Sequence, residues 1–159
     1  MDDRGFTIAE VLVASLVLLI ALLVIATMFP MGYKQVVDAG KMTVAVTGAR
    51  HILEDIGALP FDSVANLNGF NTTNPATLPA SDPELAAARR WAYMVAGSAN
   101  GFGFTPGELA EYGNFTPFGG QASIVVTNPS GTLRQATVTV SVPGLSPTIQ
   151  LTTIVVRMF

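Results

Sequence analysis

Three groups of residues have side chains whose types and spacing could do chemistry. The first is Glu10, the one ionisable side chain between Phe6 and Pro30. On insertion scales a carboxylate at mid-membrane costs about 2.5–3.5 kcal/mol, less near a helix end, so it marks a functional candidate. Its plainer reading is a side chain that snorkels to the interface and favours the positive end of the helix dipole. The second group is Glu54-Asp55 together with Glu108 and Glu111. Close carboxylates serve general acid–base catalysis or bind a cation. Each pair falls on an expected exposed helix face, however, where it reads as solvated charge. The third group is Arg89-Arg90-Trp91, charge beside an aromatic, as in contacts to single-stranded nucleic acid. One basic pair neutralises too few phosphates for nucleic acid to be an expected partner. Trp91 is therefore expected in the core and both arginines at the surface. His51, the single histidine, lies off the apolar stripe of its segment and is expected to be solvated.

Cysteine is absent, which excludes disulfides, Cys-zinc sites, iron–sulfur clusters and thiol nucleophiles. There is no P-loop, G-x-G-x-x-G, H-E-x-x-H or EF-hand loop. No cofactor, no metal and no enzymatic reaction is expected. The length, 159 residues, suits one domain with an appendage. Charged residues are 12% of the chain and hydrophobic ones 50%, where average proteins are about 25% charged. That balance, with a net charge of −3, argues against disorder and against a basic nucleic-acid binder.

The elements that must position these residues begin with an apolar run. From Val11 to Phe29 every residue is aliphatic, aromatic or small apart from Ser15 and Thr27. Counted from Phe6, at about 1.5 Å per residue, it is long enough to cross the roughly 30 Å hydrocarbon core. A cleaved secretory signal fits poorly. Met1-Asp2-Asp3-Arg4 lacks a positive n-region, the run is too long, and no A-x-A site follows. A plain anchor explains length and composition but not Glu10.

The order Gly5-Phe6-Thr7-Ile8-Ala9-Glu10-Val11-Leu12-Val13-Ala14 resembles the N-terminal signature of type IV prepilins and the related pseudopilins. That signature is a short hydrophilic leader, a glycine, an aromatic residue, a glutamate four residues further on, then an unbroken apolar helix. The leader departs from the usual basic pattern, with Asp2 and Asp3 beside Arg4. The resemblance implies cleavage between Gly5 and Phe6 by a membrane-embedded prepilin peptidase, followed by N-methylation of Phe6. It implies as partners other pilin-like subunits, an inner-membrane assembly platform and, before assembly, membrane lipid. Glycine at position 5 offers a protease an extended backbone with no side chain to clash. Cleavage there creates a positive α-amino group, which a neighbouring subunit's Glu10 would meet as a register device. The implied protein is a filament subunit of a pilus, type II secretion or DNA-uptake machine, first held in the bacterial inner membrane with its head outside the cytoplasm. Lack of cysteine removes the C-terminal disulfide loop of many major pilins and points to a minor pilin. Some major pseudopilins bind calcium in a C-terminal loop; with no Asp or Glu after Glu111, none is expected here.

Domain boundaries follow as a leader over 1–5, a long helix over 6–58 with its membrane half at 6–29, and a head over 59–159. Pro30 and Gly32 are expected to kink or loosen the helix. Beyond them, Met42, Ala45, Val46, Ala49, Ile52, Leu53 and Ile56 recur at helical spacing, opposite Lys34, Asp38, Lys41, Thr47, Arg50 and Glu54. Gly40 and Gly48 are expected weak points. Leu59-Pro60-Phe61-Asp62 should end the helix; it is similar to a turn found in many minor pilins. Capping boxes at Ser81-Asp82-Pro83-Glu84 and Thr105-Pro106-Gly107-Glu108, each with proline at the first helical position, announce two short helices. Trp91 to Val95 is expected as a first strand. Ala122 to Asn128, Ala136 to Val142 and Thr148 to Met158 read as strands, split by Pro129-Ser130-Gly131 and Pro143-Gly144 turns, the last strand central or bulged. The expected class is α+β: a long N-terminal helix packed on a C-terminal antiparallel sheet, as in type IV pilins. The rival reading is an uncleaved single-pass membrane-anchored binding or adhesion module.

Overall fold

A computed structural model describes residues 7–146 and 148–157; Gly5 and Phe6 lie outside the described residues. Helix α1 spans Ile8–Ala58. The chain divides after Ala39 into two compact units. The described residues of the first are helix from Ile8 onward. Its aliphatic side chains are exposed throughout, from Ile8 to Val36, and the backbone stays helical across Pro30 and Gly32.

The second unit begins at Gly40 and has its own core. The last part of α1 buries Ala45, Gly48, Ala49, Ile52 and Ile56, with Val46 and Leu53 packed partly against the same cluster. This is the expected stripe, apart from Met42, which is exposed. Gly48 is better explained by packing than by flexibility: a Cβ there would lie 3.1 Å from the Phe118 ring. Helix α1 stops at Ala58, before Leu59-Pro60, as the proline requires. Phe61 then lies under two guanidinium groups, 4.4 Å from Arg134 and 5.1 Å from Arg157. Arg157 donates to Asp62 Oδ1 at 2.6 Å, and Arg134 donates to the carbonyls of Phe61 and Asp62. The turn after the helix is thereby tied to the sheet.

Helix α2 spans Glu84–Ala96 and α3 spans Pro106–Tyr112. The expected strand at Trp91 to Val95 is the second half of α2. Alanine-rich sequence favours helix, and Ala87, Ala88, Trp91, Ala92 and Val95 form a buried face with helical period. The two capping boxes part ways. At Thr105 the box closes: Thr105 N–H donates to Glu108 Oε2 at 2.8 Å, and Glu108 N–H to Thr105 Oγ1. At Ser81 no box forms. Pro83 precedes the helix, Asp82 Oδ1 accepts from Ala86 N–H, and Ser81 Oγ contacts the Glu84 carboxylate instead.

Strands β1 (Gln121–Ser130), β2 (Leu133–Ser141) and β3 (Ile149–Val156) form one antiparallel sheet in that order. Alternation buries Ala122, Ile124 and Val126 on β1 and Ala136, Val138 and Val140 on β2. The register slips between Thr127 and Ser130, around Pro129, which has no N–H to give the ladder. β1 therefore continues through the expected turn and reverses at Gly131-Thr132. β3 is neither central nor bulged. It is an edge strand in unbroken register with β2, and its outward apolar residues Ile154 and Val156 are exposed. Long N-terminal apolar helix and three-stranded antiparallel sheet together make an α+β fold.

Candidate functional site

At the start of α1, Thr7 N–H and Thr7 Oγ1 both donate to Glu10 Oε2 at 2.9 Å, and Glu10 N–H donates back to Thr7 Oγ1 at 3.2 Å. Thr7-Ile8-Ala9-Glu10 is thus a capping box, which satisfies orphan N–H groups at a helix start. It gives Glu10 a local structural role beside any intermolecular one. Both side-chain contacts use Oε2; among the described residues nothing bonds Oε1.

The helix that follows suits an apolar medium in its side chains as well as its length. Ser15 Oγ donates to Val11 C=O at 2.7 Å, and Thr27 Oγ1 to Val24 C=O at 2.8 Å. Neither hydroxyl needs water, which a hydrocarbon phase would not supply. Among the described residues this is one helix long and apolar enough to cross a membrane. Of the residues expected to matter for assembly, Glu10 and Pro30 are therefore placed on α1, while the cleavage and methylation positions Gly5 and Phe6 fall outside the described residues.

In the second unit, two of the four carboxylates expected to be solvated are engaged. Asp55 Oδ2 accepts from the indole N–H of the fully buried Trp91 at 2.7 Å and from Arg90 Nη2 at 2.8 Å. Glu108 accepts from Arg89, which also donates to the carbonyls of Phe102 and Gly103. Trp91 is core as expected, but both arginines are partly buried in ion pairs rather than surface-solvated. Glu54 and Glu111 remain exposed. A further carboxylate, Glu84, is buried at the start of α2. Burial pushes its pKa up, but hydrogen bonds, the first from Asn66 Nδ2 at 2.6 Å, outweigh that and hold it below the ordinary value.

The Glu108 carboxyl is held down to about 2, first by the hydrogen bond from Arg89 and then by Thr105, against the burial that would raise it. Its pKa is lower folded than unfolded. The pair therefore stabilises the head fully above about pH 4.5, and that contribution is lost as pH falls from there towards 2. Urea midpoints should decline over this window, and Glu108→Gln should flatten the decline; an identical slope in the variant would contradict the assignment.

His51 is half-buried rather than solvated. Its ring packs 5.9 Å from Phe115, and Nε2 has no hydrogen-bond partner among the described residues. It lines an open groove of about 530 Å³ with Val44, Thr47, Met94, Phe115 and Phe118. The walls are mainly apolar, with Arg50 and Glu54 also lining the groove. Among the described residues no three His, Asp or Glu side chains converge as metal ligands. Sequence reasoning missed the Thr7 box, whose T-x-x-E spacing is visible, and the Asp55–Trp91 bond, which has no local signal. Comparison with protein-family models, with curated proteins and with solved structures finds no match to this chain.

Proposed function

We propose that this chain is a structural subunit of a type IV pilus or related filament machine, resembling a minor pilin or pseudopilin. The observation that carries the reading is an exposed apolar helix, self-sufficient in its side-chain hydroxyls, that opens on a single carboxylate. In this account a prepilin peptidase cuts between Gly5 and Phe6, and the new Phe6 amine is N-methylated. The precursor waits in the inner membrane with its head outside the cytoplasm, then moves through an assembly platform into a filament.

Assembly exchanges lipid for like helices. Lipid is as apolar as leucine, so the exchange itself supplies little drive. Packing, an ATPase motor implied by the family, and a charge pair between Glu10 and a neighbour's Phe6 amine supply the rest. Opposite charges 4 Å apart attract by about 4 kcal/mol at an effective dielectric near 20, before desolvation. The pair is thus a register device more than a source of stability. Because the capping box occupies Oε2 alone, Oε1 is available to that amine.

The same box favours one rival. An uncleaved membrane-anchored binding module would need Glu10 only as a helix cap. Gly5→Val separates the two. Blocked cleavage should leave the precursor in membranes and remove it from sheared filaments. An unchanged distribution would favour the uncleaved anchor.

A further inference from the structure

The three-stranded sheet has two edges, and among the described residues only one is covered. Along β1, Gly69 N–H donates to Ile124 C=O and Ile124 N–H to Phe70 C=O, both at 2.9 Å. Thr72 N–H donates to Ala122 C=O, and the remaining N–H groups of Ala122 and Val126 meet Thr72 Oγ1 and Asn68 Oδ1. The β3 edge is different. Arg157 N–H donates to Thr132 C=O at 3.0 Å, on the β2 side. Antiparallel ladders alternate, so Ile149, Leu151, Thr153 and Val155 turn their backbone groups to β2. Gln150, Thr152, Ile154 and Val156 turn theirs outward, where no described backbone group meets them.

Edges of this length are ordinarily blunted by lysine, proline or a bulge. β3 has none of these: Ile149–Val156 contains no charge and no proline, and its register with β2 is unbroken. Ile154 is 63% exposed and Val156 55%.

We propose that β3 pairs antiparallel with β3 of a second copy of this chain, joining two sheets into one of six strands. Three features select that occupant. The strand is uncharged, so two copies meet without like-charge repulsion along the ladder. A two-fold axis perpendicular to the sheet keeps every residue on its own face. Centred on Thr153, it sets Ile154 beside Thr152 of the second copy, Val156 beside Gln150 and Leu151 beside Val155, side-by-side pairs suited to strands. Finally, the β1 edge is covered from Ala122 to Val126, which stops the pairing at two copies, where two open edges would propagate a fibre. One pair of edge strands is a small contact beside a standard interface of about 1,600 Å², of the size class of weak, transient association. It concerns the head alone and does not depend on the filament reading.

The absence of native cysteine makes the test clean. Full-length chain in detergent micelles would carry Thr153→Cys or Thr152→Cys, the two central positions a two-fold can place opposite themselves, or Thr127→Cys on β1 as control. Mild oxidation should link one of the β3 variants at least about tenfold more than the control, since only paired strands bring Cβ atoms within disulfide reach. Adding Ile154→Lys, a change at an exposed side chain, should cut that yield about fivefold, since it puts a charge on the edge and sets the two lysines diagonally across the ladder within reach of each other, with thermal unfolding unchanged. Linking no better than the control, a yield indifferent to Ile154→Lys, or β3 cross-links only to a different polypeptide would each overturn the proposal.

Discussion

Glu10→Gln is expected to be processed normally and yet to enter filaments about tenfold less than the unaltered chain, the loss of roughly one charge-assisted contact. Glutamine can keep the capping box, since the box needs an acceptor and not a charge. It cannot attract a protonated amine. Glu10→Ala, which loses both, should in addition loosen the helix start. The pair of variants therefore separates capping from charge pairing. Quantifying the chain in sheared filaments against membranes reads the outcome. Full assembly of Glu10→Gln would reduce Glu10 to a cap.

Trp91→Ala is expected to cost the head about 3–5 kcal/mol, the range for removing a buried large aromatic. The indole is fully buried, lies 6.3 Å from Phe70, and donates to Asp55, so it ties α2 to α1. Trp91→Phe should cost less, about 1–3 kcal/mol, chiefly by leaving Asp55 with a lost donor in a partly buried place. Thermal or urea unfolding checks both. Equal stability of Trp91→Phe and the parent chain would mean that the indole N–H contributes nothing and that packing, with the Arg90–Asp55 ion pair, holds the helices together.

What the sequence disclosed follows physical range. Local signals were legible: the apolar run of α1, its stop before Pro60, the Thr105 capping box and three strands of alternating burial all arise from neighbours in sequence. Trp91 to Val95 misled because a short aromatic and apolar window fits both periods; only the preceding alanines and the buried face from Ala87 show the helix. Long-range features were invisible. Nothing near Asp55 announces Trp91, 36 positions away, and nothing near Leu59-Pro60-Phe61-Asp62 announces that Arg134 and Arg157 will close over its ring. The edge position of β3 likewise depends on strand order, which Ile154-Val155-Val156 cannot encode by themselves. For the candidate site, the T-x-x-E spacing at Thr7 was readable, and its meaning was eclipsed by the lone charge it contains.

The most direct test is the mass of the N-terminal peptide of the chain recovered from its native membrane and from any filament it enters. The account predicts material beginning at Phe6, its amine methylated, with Met1 to Gly5 missing. Filament-borne chain that still carries those five residues would contradict it.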